Sequence, residues 1–119
     1  MVSIELHNLQ MHAFHGVHDG ESKTGNRYIV DLVVQYEEGD TQFDDLSSTI
    51  NYVELYEIVK QRMQLNTPLL ERLCEGIIRR IRHQYPFISQ VNISVFKLEA
   101  PIENFQGRVG VSMIKKFNE

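Results

Sequence analysis

The chain has 119 residues, a length that suffices for one compact domain over residues 1–119 and is too short for two domains of ordinary size. Hydrophobic residues make up 42% of the sequence and charged residues 24%, which is the balance of a folded globular protein and excludes disorder of the whole chain. Acidic residues number 16 against 12 basic ones, so the net charge of -4 argues against a nucleic-acid-binding protein, which needs a basic face.

The sequence also indicates the compartment. No stretch approaches the roughly 20 apolar residues of a membrane span, and the first residues lack the basic start and apolar core of a signal peptide. Cys74 is the only cysteine, which excludes an intramolecular disulfide. We therefore expect a cytoplasmic protein that does not use a membrane as its partner.

Two strands are predicted in the first third of the chain. The apolar positions change parity between Leu6 and Leu9, so the first strand should contain a bulge near residues 7–8. From residue 27 to residue 36 every even position is apolar. This alternation predicts a second strand with one fully buried face.

Two helices follow. Asn51 with Glu54 resembles a capping box, and apolar residues then recur at helical spacing, which predicts a helix over about 51–64. Thr67-Pro68 has the character of an N-cap followed by a first-turn proline, and a continuous apolar stripe comes next. The second helix is therefore predicted over about 68–83.

Alternating apolar residues at 91–95 and 109–113 predict two more strands. Since each element has one apolar face to bury, we predict an α+β fold in which two helices cover one face of a four-stranded antiparallel sheet. Ile29, Val33 and Phe96 make the other face too apolar for free exposure to solvent, so self-association is expected to cover it.

The turn between the first two strands carries several polar candidates. Residues 13–27 are rich in glycine and polar side chains, as ligand-binding loops are. His12, His15 and His18 recur every three residues, but side chains three apart on a strand point to opposite faces, so a shared zinc ion would require the chain to curl. Glu21 is either a ligand contact or an ordinary solvated loop residue.

Two further candidates lie in the second half of the chain. Glu71 is expected in the first turn of the second helix, where the helix N-terminus alone would favour a carboxylate. Lys97 continues the apolar face of the third strand, so either it is held partly desolvated for proton transfer or its amine reaches solvent. Cys74 lies within the apolar helix stripe and is expected in the core.

Four segments together resemble the dihydroneopterin aldolase family across essentially the whole chain. They are the run from His15-Gly16 through Glu21 to residues 25–31, then residues 44–52, residues 69–73, and residues 97–111. Each is modest alone, whereas their order and spacing together are specific. Asn26 and Tyr28 depart from the glutamine and phenylalanine that are common in the family, which concerns the detail of the ligand loop.

The resemblance implies the tunnelling fold, with the order β-β-α-α-β-β, and subunits that join their sheets into rings. Two stacked rings would form a homo-octamer, with the pterin site between subunits. It further implies that Glu71 and Leu70 bind the pterin, that Lys97 is the catalytic lysine, and that Glu21 holds the dihydroxypropyl side chain and belongs with Lys97 and Tyr52 to the catalytic residues. Tyr52 would be supplied by the neighbouring subunit and would relay or donate a proton.

The reaction implied by the resemblance is retro-aldol cleavage of 7,8-dihydroneopterin into 6-hydroxymethyl-7,8-dihydropterin and glycolaldehyde, with C2' epimerisation as a possible second outcome. The N5=C6 imine of the pterin can accept the electrons, so no metal, cofactor or lysine Schiff base is expected. One alternative is a dihydroneopterin triphosphate epimerase, for which Lys23 and Arg27 would be the cations near the charged end of the substrate. A non-catalytic pterin-binding oligomer is the alternative outside the enzymes.

Overall fold

The computed structural model describes residues 1–15, 25–40, 43, 49–99 and 102–117. Four strands form one antiparallel sheet in the order β1-β2-β3-β4, and two helices connect its halves. In chain order the elements are β1 (Val2–Ala13), β2 (Asn26–Tyr36), α1 (Tyr52–Met63), α2 (Leu70–Gln84), β3 (Gln90–Lys97) and β4 (Val109–Lys116). The predicted α+β order is confirmed. Within the described residues, no helix is both long enough and apolar enough to span a membrane.

The predicted bulge in β1 is confirmed. Leu6 pairs with Leu32 and Leu9 pairs with Val30, so two residues of β1 lie opposite Asp31 alone. The second of the two, Asn8, has a φ of 58°, and its backbone N–H donates to the Asp31 carboxylate at 2.9 Å. The extra residue shifts the phase of the strand, so that apolar residues on both sides of it pack against the same core.

The two faces of the sheet differ as the alternation predicts. All even positions of β2 from residue 28 to residue 36 are buried, and both helices pack on that face to form one hydrophobic core. The odd positions are only half-buried, including Ile29 and Val33. On this outer face Ile29 lies opposite Phe96 in the β2–β3 ladder, and the Arg108 guanidinium lies 5.4 Å from the centre of the Phe96 ring. Ile29, Val33 and Phe96 therefore add apolar surface to the sheet face that the helices leave open, with Asp31 between the first two on β2.

Helix α1 begins where the capping pattern predicts. The Asn51 side chain accepts a hydrogen bond from the Val53 backbone N–H at 2.9 Å, which satisfies one of the unpaired amides of the first turn. Glu54 accepts a hydrogen bond from the Tyr85 hydroxyl at the end of α2. Burial, together with this carboxylate, raises the pKa of Tyr85 to about 12. The start of α1 is thereby fixed against the end of α2.

The predicted start of the second helix is wrong by two residues. Helix α2 begins at Leu70, and Leu69 occupies its N-cap position without a side-chain cap. Thr67, the predicted cap, is buried and hydrogen-bonds elsewhere. The apolar stripe is confirmed, because its members are buried in the core: Leu73, Cys74, Ile77, Ile78 and Ile81.

Candidate functional site

The start of α2 presents a carboxylate to solvent. Glu71 is exposed in the first turn, where the unpaired backbone amides of a helix favour a negative charge. Leu70 beside it is half-buried and packs against the core. Burial, followed by the nearby Glu71 charge, raises the pKa of the Cys74 thiol to about 11. Cys74 is therefore an inert core residue at neutral pH, as predicted, and Glu71 is an exposed carboxylate at this end of the helix.

Lys97 is the last residue of β3. Its Cα lies opposite Tyr28 in β2 and opposite Val109 in β4, so backbone ladders hold it on both sides. The side chain is half-buried. The ladder continues past it, since the Leu98 backbone N–H donates to the Arg27 carbonyl at 2.9 Å. The strand end therefore fixes the backbone from which the amine extends.

His15 contacts residues that neighbour both of these groups in the fold, Thr67 before α2 and Tyr28 opposite Lys97. It is fully buried, and its Nδ1 accepts a hydrogen bond from the Thr67 backbone N–H at 3.0 Å, three residues before α2 begins. Its carbonyl accepts a hydrogen bond from the Tyr28 hydroxyl at 3.0 Å, and the two rings pack edge to face with centres 5.5 Å apart. Because Thr67 leads into α2 and Tyr28 lies opposite Lys97, the ends of β3 and α2 that carry Lys97 and Glu71 belong to the same end of the molecule.

The environment of His15 keeps its ring neutral. Burial lowers the pKa of His15 to about 4, and the positive charges of Arg62 and Lys97 act in the same direction. The Met63 carbonyl opposes them without reversing the shift. Nε2 is buried and has no hydrogen-bond partner among the residues that the structure describes. At neutral pH the group is therefore a neutral imidazole that accepts at Nδ1 and carries its proton on Nε2.

Tyr52 lies away from the end of the molecule that carries Lys97 and Glu71. It is 60% exposed at the first residue of α1, and the hydrogen bond from Tyr85 to Glu54 places that end of α1 beside the end of α2. Tyr85 lies 14 positions after Glu71 along α2, which corresponds to about 21 Å at 1.5 Å per residue. One chain therefore does not bring Tyr52 to Glu71.

The remaining sequence candidates fall into two groups. Glu21 and His18 lie outside the described residues. His12 is exposed on β1, with its ring 5.2 Å from that of Phe14, whereas His15 is buried. Over the described ranges, no group of three or more histidine, cysteine, aspartate or glutamate side chains could hold a metal ion.

The structure adds contacts at the mouth of the β1–β2 turn that the sequence did not predict. The Asn26 amide donates to the Glu99 carbonyl at 2.8 Å, and Arg27 forms an ion pair with the Glu99 carboxylate at 2.6 Å. Both contacts tie the start of β2 to the segment after Lys97. The partners are more than 70 residues apart in the chain, so no local pattern could have predicted them.

Comparison with known proteins places the chain clearly. The family model for dihydroneopterin aldolase (FolB) matches residues 4–114. The chain is 30% identical over 118 residues to the dihydroneopterin aldolase of Bacillus subtilis (strain 168), covering 98% of each protein. It is 27% identical over 115 residues to that of Staphylococcus epidermidis (strain ATCC 12228 / FDA PCI 1200), covering 95% of each. The fold matches that of E. coli dihydroneopterin aldolase in complex with neopterin, with a TM-score of 0.84, 19% identity and coverage of 97% of this chain and 99% of that one.

Proposed function

The chain belongs to the dihydroneopterin aldolase family, and from this premise we propose that it is a carbon–carbon lyase that cleaves 7,8-dihydroneopterin into 6-hydroxymethyl-7,8-dihydropterin and glycolaldehyde. The observation that carries the proposal is the convergence of the ends that bear Glu71 and Lys97, joined through His15. A binding carboxylate and an amine on one rigid frame are what the reaction needs from a single subunit.

Glu71 is the proposed anchor of the pterin. The pterin ring carries two adjacent N–H donors along its guanidine-like edge, and a carboxylate can accept both in a bidentate pair. Glu71 is exposed at a helix start, so it can reach a ligand without leaving a buried position. Leu70 lies beside it and would contact the ring, and Glu21 would hold the dihydroxypropyl side chain.

Lys97 is the proposed catalytic amine. Acting through a water molecule, it assists removal of the proton from the 2'-hydroxyl, and the bond between C1' and C2' then breaks to release glycolaldehyde. The electron pair moves into the N5=C6 imine of the pterin, so the substrate itself is the electron sink and neither a metal nor a Schiff base is required. The resulting enamine is protonated with the help of Tyr52, which yields the hydroxymethyl product. Recombination with the other face of the aldehyde would instead epimerise C2'.

The proposed site is shared between subunits. Tyr52 is exposed at the start of α1, which lies beside the end of α2, whereas Glu71 lies at the start of α2. The Tyr52 that acts with a given Glu71 and Lys97 must therefore come from a neighbouring chain. The half-buried apolar side chains of Ile29 and Val33 on the outer sheet face are suited to burial when sheets join into a ring. We propose rings of four subunits that stack as an octamer, in the cytoplasm.

The family match favours the aldolase over the triphosphate epimerase. A triphosphate would need free cations near the side-chain end of the pocket. Arg27, one of the two candidate cations, is held in an ion pair with Glu99 at 2.6 Å. The other, Lys23, lies outside the described residues.

The proposal is tested by incubating the purified protein with 7,8-dihydroneopterin, with and without excess chelator, and following both products by chromatography. We expect equal amounts of both products in either condition. Lys97→Ala should abolish product formation while the dissociation constant for neopterin stays within about threefold, because the amine acts on the reaction more than on the ring. Lys60→Ala, which removes an exposed lysine from α1, should cleave like the wild type.

The same assay separates the roles of the two groups. Glu71→Gln should weaken neopterin binding by about 2–5 kcal/mol, because the two ring donors lose their charged partner. Glu75→Gln is the matched control, since Glu75 lies one turn further along α2 in a surface ion pair with Arg72. Unchanged binding by Glu71→Gln would refute the anchor. No cleavage by the wild type, followed by turnover of the triphosphate, would identify the epimerase, and binding without any turnover would identify a non-catalytic pterin-binding protein.

A further inference from the structure

We propose that His15 is a positioning residue for the pterin site: its buried ring holds the strand end that carries Lys97 against the helix start that carries Glu71. The inference rests on the proposed function and deepens it, because it concerns how that site keeps its shape. The proposed reaction gives His15 no other task.

The first half of the connection runs from His15 to α2. The Thr67 backbone N–H donates to Nδ1 at 3.0 Å, and Thr67 is itself buried. The Thr67 hydroxyl donates to the Leu65 carbonyl at 2.9 Å and accepts from the Arg62 guanidinium at 2.8 Å. His15 therefore sets the position of a turn that is fixed on its other side by α1, and this turn leads directly into the start of α2.

A glycine lets Arg62 take part in this arrangement. A Cβ atom at Gly76 would lie 2.3 Å from the Arg62 Nε, so the guanidinium rests against the backbone of α2 in space that any side chain would fill. The turn is thereby attached to the body of α2 as well as to its first residue. Movement of Thr67 would have to displace Arg62 from this position.

The second half of the connection runs from His15 to β3. The Tyr28 hydroxyl donates to the His15 carbonyl at 3.0 Å, and the two rings meet edge to face. Tyr28 is fully buried and lies opposite Lys97 in the β2–β3 ladder. A shift of the imidazole would therefore be transmitted to the pair of strands that presents the lysine.

The hydrogen bond from Thr67 requires an uncharged acceptor on residue 15. A ring protonated at Nδ1 would lose the hydrogen bond from Thr67 and would face the positive charges of Arg62 and Lys97. Among the described residues, the charged groups that act on the ring are cations from α1 and β3, and the Met63 carbonyl opposes them. Residue 15 must therefore provide a hydrogen-bond acceptor for the Thr67 backbone N–H where Nδ1 now lies. Asparagine can supply its Oδ1 there, whereas phenylalanine fills the volume of the ring without an acceptor.

The test compares His15→Asn with His15→Phe, and uses His83→Phe as the control because His83 is exposed in the last turn of α2. Calorimetry gives the dissociation constant for neopterin, and steady-state cleavage of 7,8-dihydroneopterin gives kcat and KM separately. His15→Phe should weaken neopterin binding by about 10- to 100-fold, because the Thr67 amide is left buried without a partner. His15→Asn should stay within about threefold of the wild type, and His83→Phe should match it. Equal binding by His15→Phe and the wild type, or equal impairment of the Asn and Phe variants, would overturn the proposal.

A measurement on the wild type covers the case in which His15→Phe fails to fold. Binding of neopterin should slow hydrogen exchange at the Thr67 amide by at least about tenfold, because the ligand stabilises the folded arrangement in which this amide is hydrogen-bonded to His15. Unchanged exchange at Thr67 would overturn the proposal.

A wild type that binds no pterin would refute the proposed function instead. The connection itself is then judged from amide chemical shifts: His15→Phe must displace those of Lys97 and Glu71 together, and His15→Asn must leave both in place. Displacement of only one of the two would overturn the connection.

Discussion

A buried imidazole that stays neutral makes the stability of this protein depend on pH. The pKa of His15 is about 4 in the folded chain, against 6.5 for an unperturbed histidine, with burial as the main cause. Between these two values the unfolded chain binds a proton that the folded chain does not bind. Above about pH 6.5 the titration of His15 therefore has little effect on the free energy of unfolding. As the pH falls toward 4, it lowers that free energy increasingly.

We predict that the wild type loses about 2 kcal/mol more stability than His15→Asn between pH 7 and pH 4.5, because asparagine does not titrate. Urea unfolding at the two pH values measures this difference. The titration of carboxylates elsewhere changes the stability of both proteins equally, so its effect cancels in the comparison. His83→Asn, which alters an exposed histidine, should behave as the wild type does. If the wild type and His15→Asn lose equal stability, the folded chain binds a proton at His15 as readily as the unfolded chain does, and the prediction is wrong.

At the scale of elements, the bulge in β1 should depend on the backbone at one residue. Asn8 has a φ of 58°, a conformation that asparagine and glycine adopt more readily than β-branched residues do. Asn8→Val should therefore destabilise the fold by about 1–2 kcal/mol, whereas Asn8→Gly should change it by less than about 0.5 kcal/mol. The free energy of unfolding in urea is the measurement.

Gln10→Val is the control for that substitution. Gln10 is exposed on the same strand and lies in the regular ladder opposite Ile29, so a β-branched residue should be tolerated there. A loss of stability that is equal at the two positions would show that β1 rejects valine in general, and would remove the special role of the bulge.

The same elements show what the sequence could predict. The change of parity between Leu6 and Leu9 located the bulge, and the alternation in β2 identified its buried face, because local periodicity reflects which side of a strand is buried. The start of α2 could not be found in this way. Thr67 has the character of a helix cap, but a contact with His15, 52 residues away, uses its backbone amide instead.

The site was predictable only in part for the same reason. The resemblance singled out Glu71, Lys97 and Tyr52, and the structure describes where each of them lies in the fold. The role of His15 in joining β2 to the start of α2 depends on partners that are distant in the sequence. A strand pattern distinguishes inward from outward positions and does not identify the partner of an inward-facing polar group.

At the scale of the whole molecule, we propose that the aldolase reaction takes place at a site completed by a second chain. The hydrogen bond between Tyr85 and Glu54 holds Tyr52 at one end of the helix pair, whereas Glu71 lies in the first turn of α2 at the other end. The helices are too long for the two groups to meet within one chain. A variant that lacks Lys97 and a variant that lacks Tyr52 should therefore each be inactive alone and complement one another when mixed.

The most direct test is to unfold Lys97→Ala and Tyr52→Ala separately, refold them together in equal amounts, and measure the formation of 6-hydroxymethyl-7,8-dihydropterin from 7,8-dihydroneopterin. Random assembly should restore about a quarter of the wild-type activity. A site needs an intact Lys97 from one chain and an intact Tyr52 from its neighbour, and each of these is present in about half of the sites. Each variant refolded alone should stay inactive. If the mixture is as inactive as the separate variants while forming the same assembly as the wild type, the shared site is contradicted.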